Sequence, residues 1–208
     1  MTGVFDLLVF AGVAALGQFS PGPDMILLTR TALKLGAREG VKMAFGIACG
    51  LTAHATVAVG GVSFAFEKWF LLREGLRWAA AGYLLWLAYR MVRAHFAVWS
   101  VAGVIDERAL VASKRSSFVR GLFCNLLNPK AAIFLAAVCA PFLRGDRPEW
   151  WPFAIWGIIV GQALVLWALW ACLLQWKPLS LRYREFERGI DLAFAAVLGA
   201  LAFALIIG

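Results

Sequence analysis

The sequence predicts an all-α integral membrane protein: six transmembrane helices arranged as two inverted three-helix repeats, with helices one and four broken. Three observations lead there. Of the 208 residues, 62% are hydrophobic and 15% charged, whereas soluble domains are roughly 45–50% apolar and about 25% charged. The surplus is spread along the whole chain, so the solvent it is built for is a bilayer. Six apolar stretches are each long enough to cross about 30 Å of hydrocarbon as a helix. Two of them, the first and the fourth, are interrupted at corresponding places by proline beside a charged residue.

The stretches run Phe5–Thr29, Val41–Phe66, Leu76–Phe96, Phe118–Leu143, Pro152–Gln175 and Gly189–Ile207. Helix is the default for each, because backbone polar groups in lipid must be satisfied within the segment, and the alternating ten-residue segments of a membrane barrel are absent. The opening "MTGVFDLLVF" has no lysine or arginine and so lacks the basic n-region of a signal peptide. The net charge of +8 does not point to nucleic acid, because the basic residues fall in short clusters between apolar runs. Fourteen of the twenty flank three alternate connections, at Arg30–Lys42, Arg90–Arg120 and Lys177–Arg188. The positive-inside rule places those connections in the cytoplasm and both termini outside. Trp69, Trp78, Trp150 and Trp151 at outer ends and Trp99 and Trp176 at inner ends read as interfacial anchors. Cys49, Cys124, Cys139 and Cys172 show no metal or redox spacing and read as small core residues.

The longest connection, about Ala97 to Ser117, divides the chain into halves of approximately 1–100 and 115–208 within one transporter domain. The halves repeat. "FSPGPDMI" in the first stretch answers "LLNPKAAI" in the fourth, and "FGIACG" in the second answers "WGIIVG" in the fifth. Placing Pro23 over Pro129 sets Asp24 over Lys130; placing Ser20-Pro21 over Asn128-Pro129 is the competing register. An odd number of spans per half inverts the second half. Weak inverted repeats that each carry a Gly/Pro-interrupted segment point to a transporter site.

At the breaks, Pro21, Gly22 and Pro23 end one helix and start another. Ser20 is expected to cap the new helix, and Asp24 falls near its N-terminus, where the dipole favours an anion. In the fourth stretch Asn128 is the expected cap, Pro129 the first helical residue, and Lys130 follows where a cation is disfavoured. An ionisable residue at that depth costs at least ~2.5 kcal/mol, so Lys130 needs a partner, and Asp24 has the opposite sign at the matching position. Two readings stay open: a buried structural salt bridge, or a site in which Lys130 receives a carboxylate and Asp24 an ammonium group or a proton. Both can be alternating states of one site. Gln18 and Asn125 either line the site or satisfy freed backbone groups. His54 is a candidate proton relay or a helix-to-helix hydrogen bond. The pairs Gly46/Gly50 and Gly157/Gly161 permit close helix approach.

The residues "FSPGPDMILLTRTALKLGAREGVKMAFGIACG", "GYLLWLAYRMVR" and "FVRGLFCNLLNPKAAIFL" resemble the LysE/RhtB family of amino-acid exporters, over nearly the whole chain. That resemblance implies an inner-membrane protein of a bacterium that expels an amino acid or related small zwitterion, with proton antiport. Carried over onto matching positions, it implies roles for Pro21, Gly22, Pro23 and Asp24 and for Asn128, Pro129 and Lys130. Ala88 and "CAPFLRG" depart from the family pattern. No cofactor, metal or nucleic acid is expected, the partners being substrate, protons and lipid, with a homodimer as a candidate assembly. The alternatives are a metal-ion or cation exporter of the same fold and, from other classes, a membrane electron carrier or enzyme or a purely structural membrane partner. For the electron carrier, a cysteine beside the proline in both halves is wanted, and residues 16–24 have none.

Overall fold

A computed structural model describes residues 2–20, 22–68, 70–96, 116–144, 146–179, 195–200, 202–203 and 206–207. Among the described residues all regular structure is helical: α1 (Thr2–Phe19), α2 (Pro23–Leu35), α3 (Ala37–Lys68), α4 (Phe70–Phe96), α5 (Ser117–Leu126), α6 (Pro129–Phe142) and α7 (Trp151–Leu173). Pro21, Trp69, Trp99, the long connection over 97–115, residues 180–194 and part of the sixth predicted stretch lie outside the described residues.

Both predicted breaks are present. The axes of α1 and α2 differ by 65° and those of α5 and α6 by 58°. The causes are local. Pro23 and Pro129 each begin a helix, where the missing N–H has no partner to lose. α2 ends at Gly36, whose φ of 86° is open to glycine without a Cβ penalty, and its N–H donates to the Ala32 carbonyl at 3.1 Å. α3 then starts at the next residue. Among the described residues two helices cross a membrane by length and composition, Ala37–Gly61 and Trp151–Leu173, or up to four if each bent pair is one span. α4 covers the third predicted stretch without being one of these.

α3 is the central helix. A Cβ on Gly46 would fall 2.0 Å from the Phe118 carbonyl oxygen, one on Gly121 2.4 Å from that of Met43, and one on Gly50 2.9 Å from Asn125 Oδ1. Ser117 Oγ donates to Glu39 near the start of both helices and the Asn125 carbonyl accepts from His54 farther along, so α3 and α5 run parallel with their backbones nearly touching, as small residues allow in lipid. α7 lies antiparallel to α3, with Gly40 against Ala171 near one end and Trp156 Nε1 donating to Thr56 Oγ1 at 3.0 Å near the other. α1 runs parallel to α7: Gly3 packs on Trp151, and Gln162 Nε2 donates to the Ala11 carbonyl at 3.0 Å. The two bent pairs therefore run in opposite directions.

Three expectations need correction. Gly157 and Gly161 seat no neighbour, since a Cβ on either meets nothing within 4 Å among the described residues. Trp151 is not an interfacial anchor. It is buried, its Nε1 donates to the Phe142 carbonyl at 2.7 Å, and Arg147 lies over its ring while ion-pairing with Asp6 at 2.8 Å. Of the cysteines, Cys139 alone is in the core; Cys124 is half-buried and Cys49 and Cys172 are exposed. The physical reason is common to all three: lipid tails are as apolar as a protein core, so hydropathy does not separate the two surroundings. Trp78, Trp150 and Trp176 are exposed, as an anchor requires.

Candidate functional site

The two breaks face each other, and each holds the charged residue of the other. Asp24, in the first turn of α2, is buried. Its Oδ2 accepts from Asn125 Nδ2 at 2.9 Å and from Asn128 Nδ2 at 2.7 Å. Lys130, in the first turn of α6, reaches back so that Nζ donates to Ser20 Oγ at 2.9 Å. Among the described ion pairs none joins Asp24 to Lys130.

Asn128 explains why asparagine is used at this break. Its Oδ1 caps α6 by accepting from the Lys130 backbone N–H at 3.0 Å, while its Nδ2 serves Asp24. Serine would cap equally well but has no amide to reach across. Gly22 is explained by contact rather than by backbone freedom. Its φ of −173° is extended, but a Cβ there would lie 3.2 Å from Lys130 Nζ and 3.4 Å from its Cδ, so the lysine lies across it. This overturns the expected role of Ser20. Gly22 occupies the cap position of α2 with no side-chain hydrogen bond, and the Ser20 hydroxyl accepts from Lys130 instead. Pro23 and Pro129 take equivalent first-turn positions, which selects the register that sets Asp24 over Lys130.

Gln18, Ser20, Gly22, Asp24, Asn125, Asn128 and Lys130 line one cavity of about 50 Å³, with Phe134, Trp167 and Leu51 among its apolar walls. That space holds about three to five waters, and Lys130 is the lining side chain with the longest reach. His54 is not among the lining residues. Its Nε2 lies 3.0 Å from the Asn125 carbonyl, which accepts from it and from the Asn128 N–H. His54 therefore supports the break from behind, as a helix-to-helix hydrogen bond.

Sequence reading did not find Gly17, Phe134 or Trp167. A Cβ on Gly17 would overlap the edge of the Phe134 ring, so that glycine seats the aromatic wall. Trp167 Nε1 donates to the Gln18 carbonyl at 3.2 Å, in the last turn of α1. The one signal in the sequence was a glycine inside a helix just before a break.

Replacing Asn128 by alanine is expected to remove a cap worth about 1 kcal/mol and a hydrogen bond to a charged group worth about 1.5–3 kcal/mol. The melting temperature of the purified protein should fall. Asn128→Asp keeps the cap oxygen but sets a second carboxylate against Asp24, so it should lose transport more severely than capping alone explains. Equal behaviour of the two variants would contradict the double role.

The family described as LysE type translocator matches residues 15–208. The threonine efflux protein of Escherichia coli (strain K12) is 29% identical over 193 residues, covering 93% of each chain. That of Salmonella typhi is 29% identical over 200 residues, covering 96% of this chain and 95% of its own. The homoserine/homoserine lactone efflux protein of Salmonella typhimurium is 33% identical over 143 residues, 68% of this chain and 66% of its own. No solved structure matches.

Proposed function

The chain belongs to the LysE type translocator family, and from that premise we propose that it exports a small amino acid through the cavity between the two breaks, by exchange with protons. The carrying observation is the cross-wiring: Asp24 accepts from two asparagines of the other half, and Lys130 donates to Ser20 of the other half. A zwitterion carries, at its two ends, the charges that complement Lys130 and Asp24. Its carboxylate takes Lys130 Nζ in place of Ser20, beside the N-terminus of α6, where anions are favoured. Its ammonium group takes Asp24 through Oδ1, the oxygen left without a hydrogen bond. In the return step a proton on Asp24 replaces the ammonium group. Relatives named for threonine and homoserine efflux support an amino acid as cargo.

The architecture proposed with this reading is six spans in two inverted repeats, in a bacterial inner membrane with both termini outside. The opposed directions of the bent pairs support the inversion. Ser20, Gly22, Asp24, Asn128 and Lys130 are the contact set, with Pro21, Pro23 and Pro129 shaping the breaks and His54 holding Asn125 in place. Purified protein in proteoliposomes loaded with labelled threonine or homoserine should release label when the outside is made acidic. Release no faster than from protein-free vesicles, for every small amino acid tried, contradicts the reading.

A further inference from the structure

Among the described residues, buried side-chain oxygens without a hydrogen-bond partner are Gln18 Oε1, Asp24 Oδ1, Asn125 Oδ1 and Gln162 Oε1. Three belong to residues that line the cavity, and the structure separates their roles. Asp24 Oδ1 is the carboxylate oxygen assigned above to the ammonium group. Asn125 Oδ1 sits against α3, 2.9 Å from where a Gly50 Cβ would be, so it is turned to a helix neighbour. Gln18 Oε1 is left. Its orientation is not arbitrary: Gln18 Nε2 donates to the Ile159 carbonyl on α7 at 3.2 Å, and flipping the amide would set oxygen against oxygen.

We propose that Gln18 reads the cargo's side chain, selecting amino acids that carry an O–H or N–H donor over aliphatic isosteres. This rests on the amino-acid reading above and names a determinant within it. Around Gln18 the cavity walls are largely apolar, Ala14, Leu51, Phe134 and Trp167 among them. A donor on the side chain satisfies Oε1; a methyl in its place buries Oε1 unpaired. Discrimination of this kind is asymmetric. Sites built to hydrogen-bond a hydroxyl reject the analogue that lacks it far more strongly than apolar pockets reject an added hydroxyl.

The test uses the full chain in proteoliposomes with two pairs of solutes, threonine against valine and homoserine against norvaline, plus O-methylthreonine, which keeps the oxygen but has no donor. Wild type should favour the hydroxylated member of at least one pair by about 10-fold or more, and O-methylthreonine should behave like valine. Gln18→Leu should bring both ratios within about 3-fold of unity while transport of the aliphatic member persists. The Gln18→Leu variant also loses the tie to Ile159; if it does not fold, the analogue series on wild type decides alone. O-methylthreonine carried as well as threonine overturns the proposal, and so do unchanged ratios in Gln18→Leu. Equal transport of both members of each pair by wild type refutes the role of Gln18 and leaves the exporter reading standing, whereas no amino-acid transport at all refutes both.

Discussion

Asp24→Asn is expected to abolish most export while leaving the protein folded, with a melting temperature equal to or above that of wild type. The substitution is isosteric. Asn125 and Asn128 still have an oxygen to donate to, so the bonds at 2.9 and 2.7 Å survive in kind. What is lost is a charge at a buried position, and a neutral group of similar shape is spared the cost of burying that charge. Cargo, by contrast, loses the partner of its ammonium group. A hydrogen bond to a charged group is worth about 1.5–3 kcal/mol, which at about 1.4 kcal/mol per factor of ten means roughly 10- to 100-fold in transport at subsaturating substrate. Lys130→Ala should cost a similar factor through the carboxylate. Export from vesicles and thermal denaturation in detergent, run side by side, check both halves of the expectation. An Asp24→Asn protein that transports normally removes the charge from the mechanism. One that fails to fold makes Asp24 a structural residue first.

The largest effect on stability is expected from Gly46→Ala. The new Cβ would stand 2.0 Å from the Phe118 carbonyl oxygen, whereas carbon-to-oxygen contacts between helices lie near 3.3–3.6 Å. A helix backbone is the obstacle, so no rotamer change relieves it, and α3 and α5 must part by more than 1 Å. Overpacking of this kind typically costs about 1–3 kcal/mol and occasionally more. Gly121→Ala meets the Met43 carbonyl from the other side and should behave alike. The damage extends to the site, because Asn125 rides on α5 and parting the helices draws its amide from Asp24. Gly157→Ala and Gly161→Ala, which meet nothing among the described residues, serve as controls and should keep the wild-type melting temperature or exceed it, alanine being about 1 kcal/mol the better helix former. If Gly46→Ala melts with its controls, the close approach of α3 and α5 is wrong.

The contrast between the two Gly-x-x-x-Gly pairs shows where sequence reading reached and where it stopped. The breaks were legible because their causes are local: proline has no N–H to lose in a first turn, and the Asn128 side chain caps from its own position. The opposite charges, each one residue after a proline that starts a helix, were legible from the two motifs. Partner choice was not. Ser20 looked like a cap because it precedes a proline, but Gly22 stands at that position and Ser20 is taken by a lysine 110 residues away. Gly22 looked like a turn residue, and its purpose is the room it leaves for Lys130. Trp151, Cys49 and Cys172 were misplaced because an apolar residue can face lipid or core with the same hydropathy. "WGIIVG" repeats "FGIACG" in letters but not in contacts, since a motif of small residues states only that a neighbour may come close.

The central claim is that Asp24 and Lys130 hold opposite ends of one zwitterion, and crossing variants with truncated solutes tests it most directly. Wild type, Asp24→Asn and Lys130→Ala in proteoliposomes would each be offered the cargo amino acid, its deaminated analogue and its carboxamide, with transport of each solute measured. Wild type should reject both analogues. Asp24→Asn should lose its preference for the amino acid over the deaminated analogue and still reject the carboxamide. Lys130→Ala should do the reverse. Uniform loss in both variants, with the wild-type order of solutes unchanged, would contradict the assignment and leave the two charges as parts of the scaffold.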